Sequence, residues 1–252
     1  MTERNAMRSL DRALDIIEVL EDSDSPLRLT DVARRSGLHL ATTQRILGAL
    51  RARGRVSYDN AGYAVGLAAV IGVNAFSATN RLVSEVRPYM QVLSAKTGLP
   101  VSLHMRLGLS RVIVERVGGD ESLQYSGSIG RKLPLHLGAA KVIAAYLPEP
   151  QLSEFIAATG AHRRADGTAV STEDLTAELV RIREQGFAVA SQERIPGRFS
   201  IGAPIETEPG IWDAALVISG RELSQYDKDL GQITADLREA AAEISSRRLR
   251  AL

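Results

Sequence analysis

Seven arginines crowd one stretch of this 252-residue chain: Arg28, Arg34, Arg35, Arg45, Arg51, Arg53 and Arg55 stand between positions 28 and 58, opposed by Asp31 alone. The local excess is six positive charges, whereas the whole chain carries +1. A guanidinium is planar, permanently charged and bidentate. A cluster of them suits phosphate oxygens and base edges better than bond-making chemistry. Thr30, Thr42 and Thr43 share the stretch, and a threonine hydroxyl is a common phosphate donor. Acidic residues gather just before it, at Asp11, Asp15, Glu18, Glu21, Asp22 and Asp24. Such segregation is the footprint of a polyanionic partner, against the plainer alternative of a solvated charged face.

Catalytic chemistry has less to stand on. The four histidines, His39, His104, His136 and His162, are scattered and form no helical metal-binding pair. Neither a G-x-S-x-G elbow nor a G-x-x-x-x-G-K-[ST] phosphate loop occurs, and the glycine-bearing "SGSIGRK" lacks the latter's spacing. Cysteine is absent, which excludes disulfides and thiol chemistry. The expectation is a protein that is not an enzyme, with no metal and no cofactor. An enzyme with a catalytic domain in the second half, or a winged-helix protein-interaction adaptor, is the alternative.

The elements around the arginines decide what those residues can reach. "SLDRALDIIEVL" has helical apolar spacing, with Ser9 as its expected N-cap, and "DSDSP" ends it. "LTDVARRSG" reads as a short helix capped by Thr30, with Asp31 at its positive end and Gly37 turning left-handed after it. In "HLATTQRILGALRARG", Thr43, Ile46, Leu47 and Leu50 form an inward stripe. Leu40 opens this helix; Ala41, Arg45, Gly48 and Ala52 face outward, flanked by Thr42 and Gln44. Small outward residues permit close approach to a groove, and Gln and Arg read base edges. "RVSY" and "YAVG" around the turn "DNAG" predict a hairpin. Three helices and a hairpin make a winged helix-turn-helix. The residues assigned to DNA are Thr30, Arg34, Arg35, Leu40, Ala41, Thr42, Gln44, Arg45, Arg51 and Arg55.

The remainder is globular in composition, 44% apolar and 4% aromatic. No apolar run reaches the roughly 18 residues of a membrane span, and the charged N-terminus lacks a signal-peptide core. A cytoplasmic protein without membrane contact is expected. "LAAVIGVNAF" suits a linker helix packed on a second copy of the chain, and "NRLVSEVRPYMQVLSAKTG" continues helically with a kink at Pro88. "PVSLHMRLG", "SRVIVERVGG" and "ESLQYSG" read as strands. "GAAKVIAAYLP", "PQLSEFIAATG" and "STEDLTAELVRIREQG" read as helices. Three strands follow, "FAVASQER", "FSIGAPIE" and "AALVISG", then a last helix from about Arg221 toward Arg250. This pattern is α+β with a central mixed or antiparallel sheet.

With "SLDRALDIIEVL", "LRLTDVARRSGLHLATTQRILGALRARGRV" and "GYAVG", then "RKLPLH", "GAAKVIAAYLPE", "IREQGFAVASQERIPGRFSIGAPI" and "AALVISG" in the same order, the chain resembles the IclR family of bacterial transcription regulators. The resemblance implies a winged helix-turn-helix over 1–66, a linker helix over 67–80 and a GAF-like effector-binding domain over 81–252. It also implies a dimer or tetramer on a near-palindromic double-stranded operator, controlled by a small molecule.

Effector contacts are expected at His136, Gly138, Ala139, Arg198, Ser200, Val217 and Ser219. Gly138 and Ala139 open a helix whose free N–H groups would take a carboxylate. Ser200 and Ser219 match family positions that often present polar contacts. His136 could instead pack locally, and Arg198 either pairs with a carboxylate or stands in a solvated loop. The segment from His136 to Lys141 is one residue shorter than the family motif. Ala190 replaces an acid, and Val217 a serine, found in some members. These losses favour a larger or more apolar acid, such as an aromatic acid.

Overall fold

A computed structural model describes residues 3–118, 128–221, 223–226 and 229–250. The chain divides into two compact units, Met1–Asn80 and Arg81–Leu252.

The first unit begins with α1 (Glu3–Glu21), α2 (Leu29–Ser36) and α3 (Leu40–Ala52). The hairpin β1 (Val56–Asp59) and β2 (Gly62–Val65) and the helix α4 (Ala68–Thr79) complete it. Its core is Ile16 and Leu20 from α1, Leu27, Val32 from α2, Leu47 from α3 and Val56 from β1. Burying these faces, rather than helix propensity, holds such short helices. Two capping expectations fail. Ser9 lies inside α1, which starts at Glu3, because the helical pattern runs upstream of it. Thr30 is in the first turn of α2, not before it; Arg28 holds the N-cap position and gives no side-chain cap. Gly37 does end α2 in the left-handed region, at φ 67°. In the hairpin Asp59 faces Gly62, and Asp59 Oδ1 accepts from the Ala61 and Gly62 amides at 2.8 and 3.3 Å.

The second unit opens with α5 (Arg81–Thr97), separate from α4 and containing Pro88. Strands β3 (Val101–Leu107), β4 (Ser110–Val117) and β5 (Lys132–Pro134) follow. A 3₁₀ turn over Ala139–Lys141 leads into α6 (Val142–Ala145), then α7 (Gln151–Thr159). A small hairpin, β6 (His162–Arg163) and β7 (Ala169–Val170), precedes α8 (Thr172–Gln185). Last come β8 (Ala188–Ser191), β9 (Arg198–Ile205), β10 (Ala214–Arg221), a 3₁₀ turn at Leu223–Tyr226 and α9 (Leu230–Arg250). Among the described residues the main sheet has six strands in the order β5-β4-β3-β10-β9-β8, all neighbours antiparallel. The strand expected at "ESLQYSG", 121–127, lies outside the described residues. The last helix starts at Leu230 rather than near Arg221, since β10 extends through Arg221.

Alternation along the strands sorts side chains to two faces. Leu103, Ile201, Ala203, Leu216 and Ile218 point to one face and pack with Val86 and Met90 of α5 and Leu237 of α9. Ala190, Ala215 and Val217 point to the other, where α6 and α8 add Ile143 and Leu179. The candidate site lies on this second face.

Candidate functional site

Two surfaces hold the residues expected to act. On the first unit α3 buries Thr43 and Leu47, half-buries Ile46 and Leu50, and exposes Ala41, Gln44, Arg45, Gly48 and Ala52. Thr43 Oγ1 donates to the His39 carbonyl at 3.1 Å, so this threonine serves the helix and not a ligand. No side chain caps α3, leaving its first-turn N–H groups open to a phosphate. Leu40, Thr30, Arg34, Arg35, Arg51 and Arg55 are exposed, and Thr42 is half-buried. Arg34 pairs with Asp31 at 3.0 Å, an exposed contact that a stronger anion can displace. Arg51 rests over the Tyr58 ring, 5.5 Å from its centre, which ties the end of α3 to the wing. Thr42, Arg45 and Arg53 share a shallow groove with Ser9 and Arg12 of α1, a neighbour that reading α3 alone does not supply.

On the second unit a cavity of about 90 Å³ lies between the site face of the sheet and the turn at 139–141. Ala190, Ser200, Val217 and Ser219 line it. Register puts three of them in a row, with Ala190 opposite Ser200 on β9 and Ser200 opposite Ser219 on β10. Gly202, next on that face, lets the turn settle directly on the strand, since a Cβ there would stand 2.5 Å from the Ala139 carbonyl oxygen. Arg198 also lines the cavity; its Nη1 is buried with no hydrogen-bond partner.

Gly138 and Ala139 line the cavity too, but their N–H groups are not free. The Gly138 amide donates to Glu193 Oε2 at 2.7 Å, and the Ala139 amide donates to Ser200 Oγ at 3.1 Å. The chain's own carboxylate occupies the place expected for an incoming one. Glu193 falls within the predicted strand "FAVASQER", but β8 ends at Ser191 and Glu193 stands in the loop after it. His136 does not line the cavity. It is half-buried against His162, with ring centres 4.6 Å apart, and burial together with His162, Arg111 and Lys141 presses it down to about 4.

A charged and polar constellation around the cavity escaped the sequence reading. Glu193, 4% exposed, also accepts from Lys141 Nζ at 2.6 Å, and Lys141, 1% exposed, donates to Glu178 Oε1 at 2.7 Å. Arg164 completes the group, 2.9 Å from Glu178 and 3.4 Å from Glu193. Two cations and two carboxylates therefore balance. Glu178 comes from α8, held in place by a Ser171–Asp174 capping box.

A second chain of bonds crosses β4 and β3. Arg111 Nε donates to His104 Nδ1 at 3.1 Å, so this nitrogen is the acceptor and Nε2 carries the ring hydrogen. Nε2 then donates to Ser102 Oγ at 2.9 Å, and that hydroxyl donates to the Val217 carbonyl at 3.3 Å. Burial, then Arg111 and Arg194, keep His104 neutral, well below its ordinary 6.5. Arg111 itself is 3% exposed and is pushed down to about 9, chiefly by burial. The period-2 pattern of "VSLHMRL" and "SRVIVERV" was the available signal: Ser102, His104 and Arg111 are polar residues at positions that alternate with core. Among the described residues no group of three or more histidines and carboxylates could hold a metal ion. No described helix is long and apolar enough to cross a membrane.

Comparison with known proteins accounts for both units. Residues 9–60 match the IclR helix-turn-helix domain, and residues 75–246 match the bacterial transcriptional regulator IclR C-terminal domain. The HTH-type transcriptional regulator BhcR of Paracoccus denitrificans is 31% identical over 246 residues, covering 96% of this chain and 88% of that one. An IclR transcriptional regulator from Alicyclobacillus acidocaldarius has the same fold, with a TM-score of 0.80, 22% identity and coverage of 96% and 98%. So does an IclR homolog from Microbacterium hydrocarbonoxydans solved with 4-hydroxybenzoate, with a TM-score of 0.76, 20% identity and coverage of 97% and 100%. With both family domains matched in order along a winged helix-turn-helix and an antiparallel effector-type sheet, this chain belongs to the IclR family of bacterial transcriptional regulators.

Proposed function

We propose that this regulator reads its operator with α3 in the major groove and answers a small organic acid bound in the cavity of the second unit. The observation that carries the DNA half is the outward face of α3, where Ala41, Gln44, Arg45, Gly48 and Ala52 are all exposed beside an uncapped helix start. Gln44 and Arg45 read base edges; Thr30, Thr42, Arg34, Arg35, Arg51 and Arg55 hold phosphates, and Leu40 and Ala41 allow close approach. A gel-shift titration against genomic fragments at two salt concentrations tests it. Affinity must fall steeply with salt and keep a sequence preference. Binding that ignores salt overturns the assignment of the arginines.

The effector half rests on Arg198, whose buried Nη1 lacks a partner in a cavity also lined by Ser200 and Ser219. A carboxylate satisfies that donor. Gly138 and Ala139 act there as packing and as holders of Glu193 and Ser200, and His136 acts behind the cavity wall. The complex of the Microbacterium relative with 4-hydroxybenzoate supports an organic acid as the class. Thermal shift with a panel of acids measures it.

The exposure of α4 supports self-association. No residue of this helix is buried within the chain, and Leu67, Val70, Ile71 and Val73 are 82, 61, 71 and 60% exposed. An apolar run this exposed calls for a cover, and a second copy supplies one together with the second recognition helix that a palindromic operator needs. A dimer or tetramer results. Effector binding then alters DNA affinity only through unequal affinity for two arrangements of the copies.

A further inference from the structure

The polarity of the cavity does not follow from Ala190 and Val217 alone. Arg111, Arg116, Arg194 and Arg198 line it, and among its described lining residues Glu193 is the one acid. That acid is already matched: Glu193 and Glu178 balance Lys141 and Arg164 within 3.4 Å.

Two of the lining guanidinium groups have no such match. Arg111 is 3% exposed, yet its partners are neutral: His104 Nδ1 and the Pro134 carbonyl. Its Nη2 turns toward Gly138 and Ser200; a Cβ placed on Gly138 would lie 3.1 Å from it and 3.8 Å from Ser200 Oγ. Arg198 sits two residues from Ser200 on the same face of β9, with its buried Nη1 unpartnered. Both side chains thus close on the neighbourhood of Ser200. Burial and the like charge of Arg194 press on the Arg111 guanidinium, and Glu193 relieves this only in part. A buried cation with neutral partners is costly, and half-buried Arg198 brings a second positive charge to the same cavity.

We propose that the effector is a compact organic dianion whose two negative charges neutralise Arg111 and Arg198. The inference rests on the reading of this cavity as the effector site and narrows its ligand. Compactness follows from the 90 Å³ volume, smaller than an engineered cavity of about 150 Å³ that holds one benzene. A dicarboxylate of about three to five carbons and a small phosphomonoester share the required chemistry.

The full chain is titrated by calorimetry and thermal shift with malonate, succinate and glutarate, with methyl phosphate, with propionate and butyrate, and with 4-hydroxybenzoate. One dianion binds at least about tenfold more tightly than every monoacid, a gap of about 1.4 kcal/mol. The dicarboxylate and phosphate arms identify which kind. Arg198→Gln, at a half-buried position, removes most of that preference: the monoacids weaken with the loss of a carboxylate donor, and the dianion weakens further, toward their affinity. Arg111→Met does the same, and circular dichroism checks that the fold survives loss of the hydrogen bonds to His104 and the Pro134 carbonyl. Monoacids that bind as tightly as both kinds of dianion overturn the proposal and leave the organic-acid reading standing. A preference for dianions that survives Arg198→Gln and Arg111→Met also overturns it. No stabilisation by any acid removes the effector-site reading and the proposal with it.

Discussion

The Glu193 carboxylate accepts a hydrogen bond from the Gly138 amide at 2.7 Å. An internal anion therefore stands where the start of the following turn would hold an external one. The same carboxylate keeps Lys141 buried as a cation, so the cavity roof and the charge network behind it are one unit.

Replacing Glu193 exposes that dependence. Glu193→Gln keeps an acceptor for the Gly138 amide but removes one of the two carboxylates facing Lys141. A loss of about 2–4 kcal/mol is expected, since a buried cation then has Glu178 alone. Urea unfolding of the wild type and variant measures it. Equal midpoints mean that solvent, not Glu193, stabilises the lysine.

Acid weakens the fold through two histidines. His104 is held well below 6.5 and His136 near 4, both primarily by burial. A depressed histidine is neutral in the folded state while the unfolded chain takes up the proton. Its contribution is complete above about 6.5 and declines as pH falls, for His136 until about 4. Each group adds at most about 1.4 kcal/mol per pH unit, and less for half-exposed His136. Unfolding midpoints at pH 7.5, 6 and 5 should fall in that order, with a shallower decline in His136→Gln. A flat profile across this range rules the mechanism out.

On the DNA side Arg45→Ala and Arg35→Ala separate two roles. Arg45→Ala should cost about 1–3 kcal/mol of discrimination between operator and random duplex. Arg35→Ala should weaken all duplexes alike and lower the salt slope by about one. Competition gel shifts at several salt concentrations read both. Retained operator preference in Arg45→Ala places base reading on another side chain.

Charge on α4 should break the assembly without unfolding the chain. Ile71 is 71% exposed, so Ile71→Asp leaves the interior untouched. Sedimentation should shift to smaller species with an unchanged melting profile. An unaltered oligomer sends the interface elsewhere.

How far the sequence alone reaches depends on the distance between interacting residues. Helix periodicity, the left-handed Gly37 and the Asp59–Gly62 hairpin are set by neighbours within a few positions. The winged helix-turn-helix and its exposed arginines could therefore be read directly. Helix starts were less readable: Ser9 and Thr30 have capping chemistry, but α1 already begins at Glu3 and Arg28 takes the N-cap position of α2. The strands β3, β4, β9 and β10 were legible in the sequence, whereas Ser200 and Ser219 were singled out by resemblance to the family, and the register sets them opposite each other. What alternation cannot supply is the meeting of Arg111 with His104, or of Lys141 with Glu178 and Glu193. Those partners come from separate strands, a loop and a helix, and the sheet order β4-β3-β10-β9-β8 brings them together. Tertiary structure alone decided that the amides of Gly138 and Ala139 are already bonded and that four arginines line one cavity. The physical reason is that burial and charge matching are properties of neighbours in space, whereas capping, turns and periodicity are properties of neighbours in the chain.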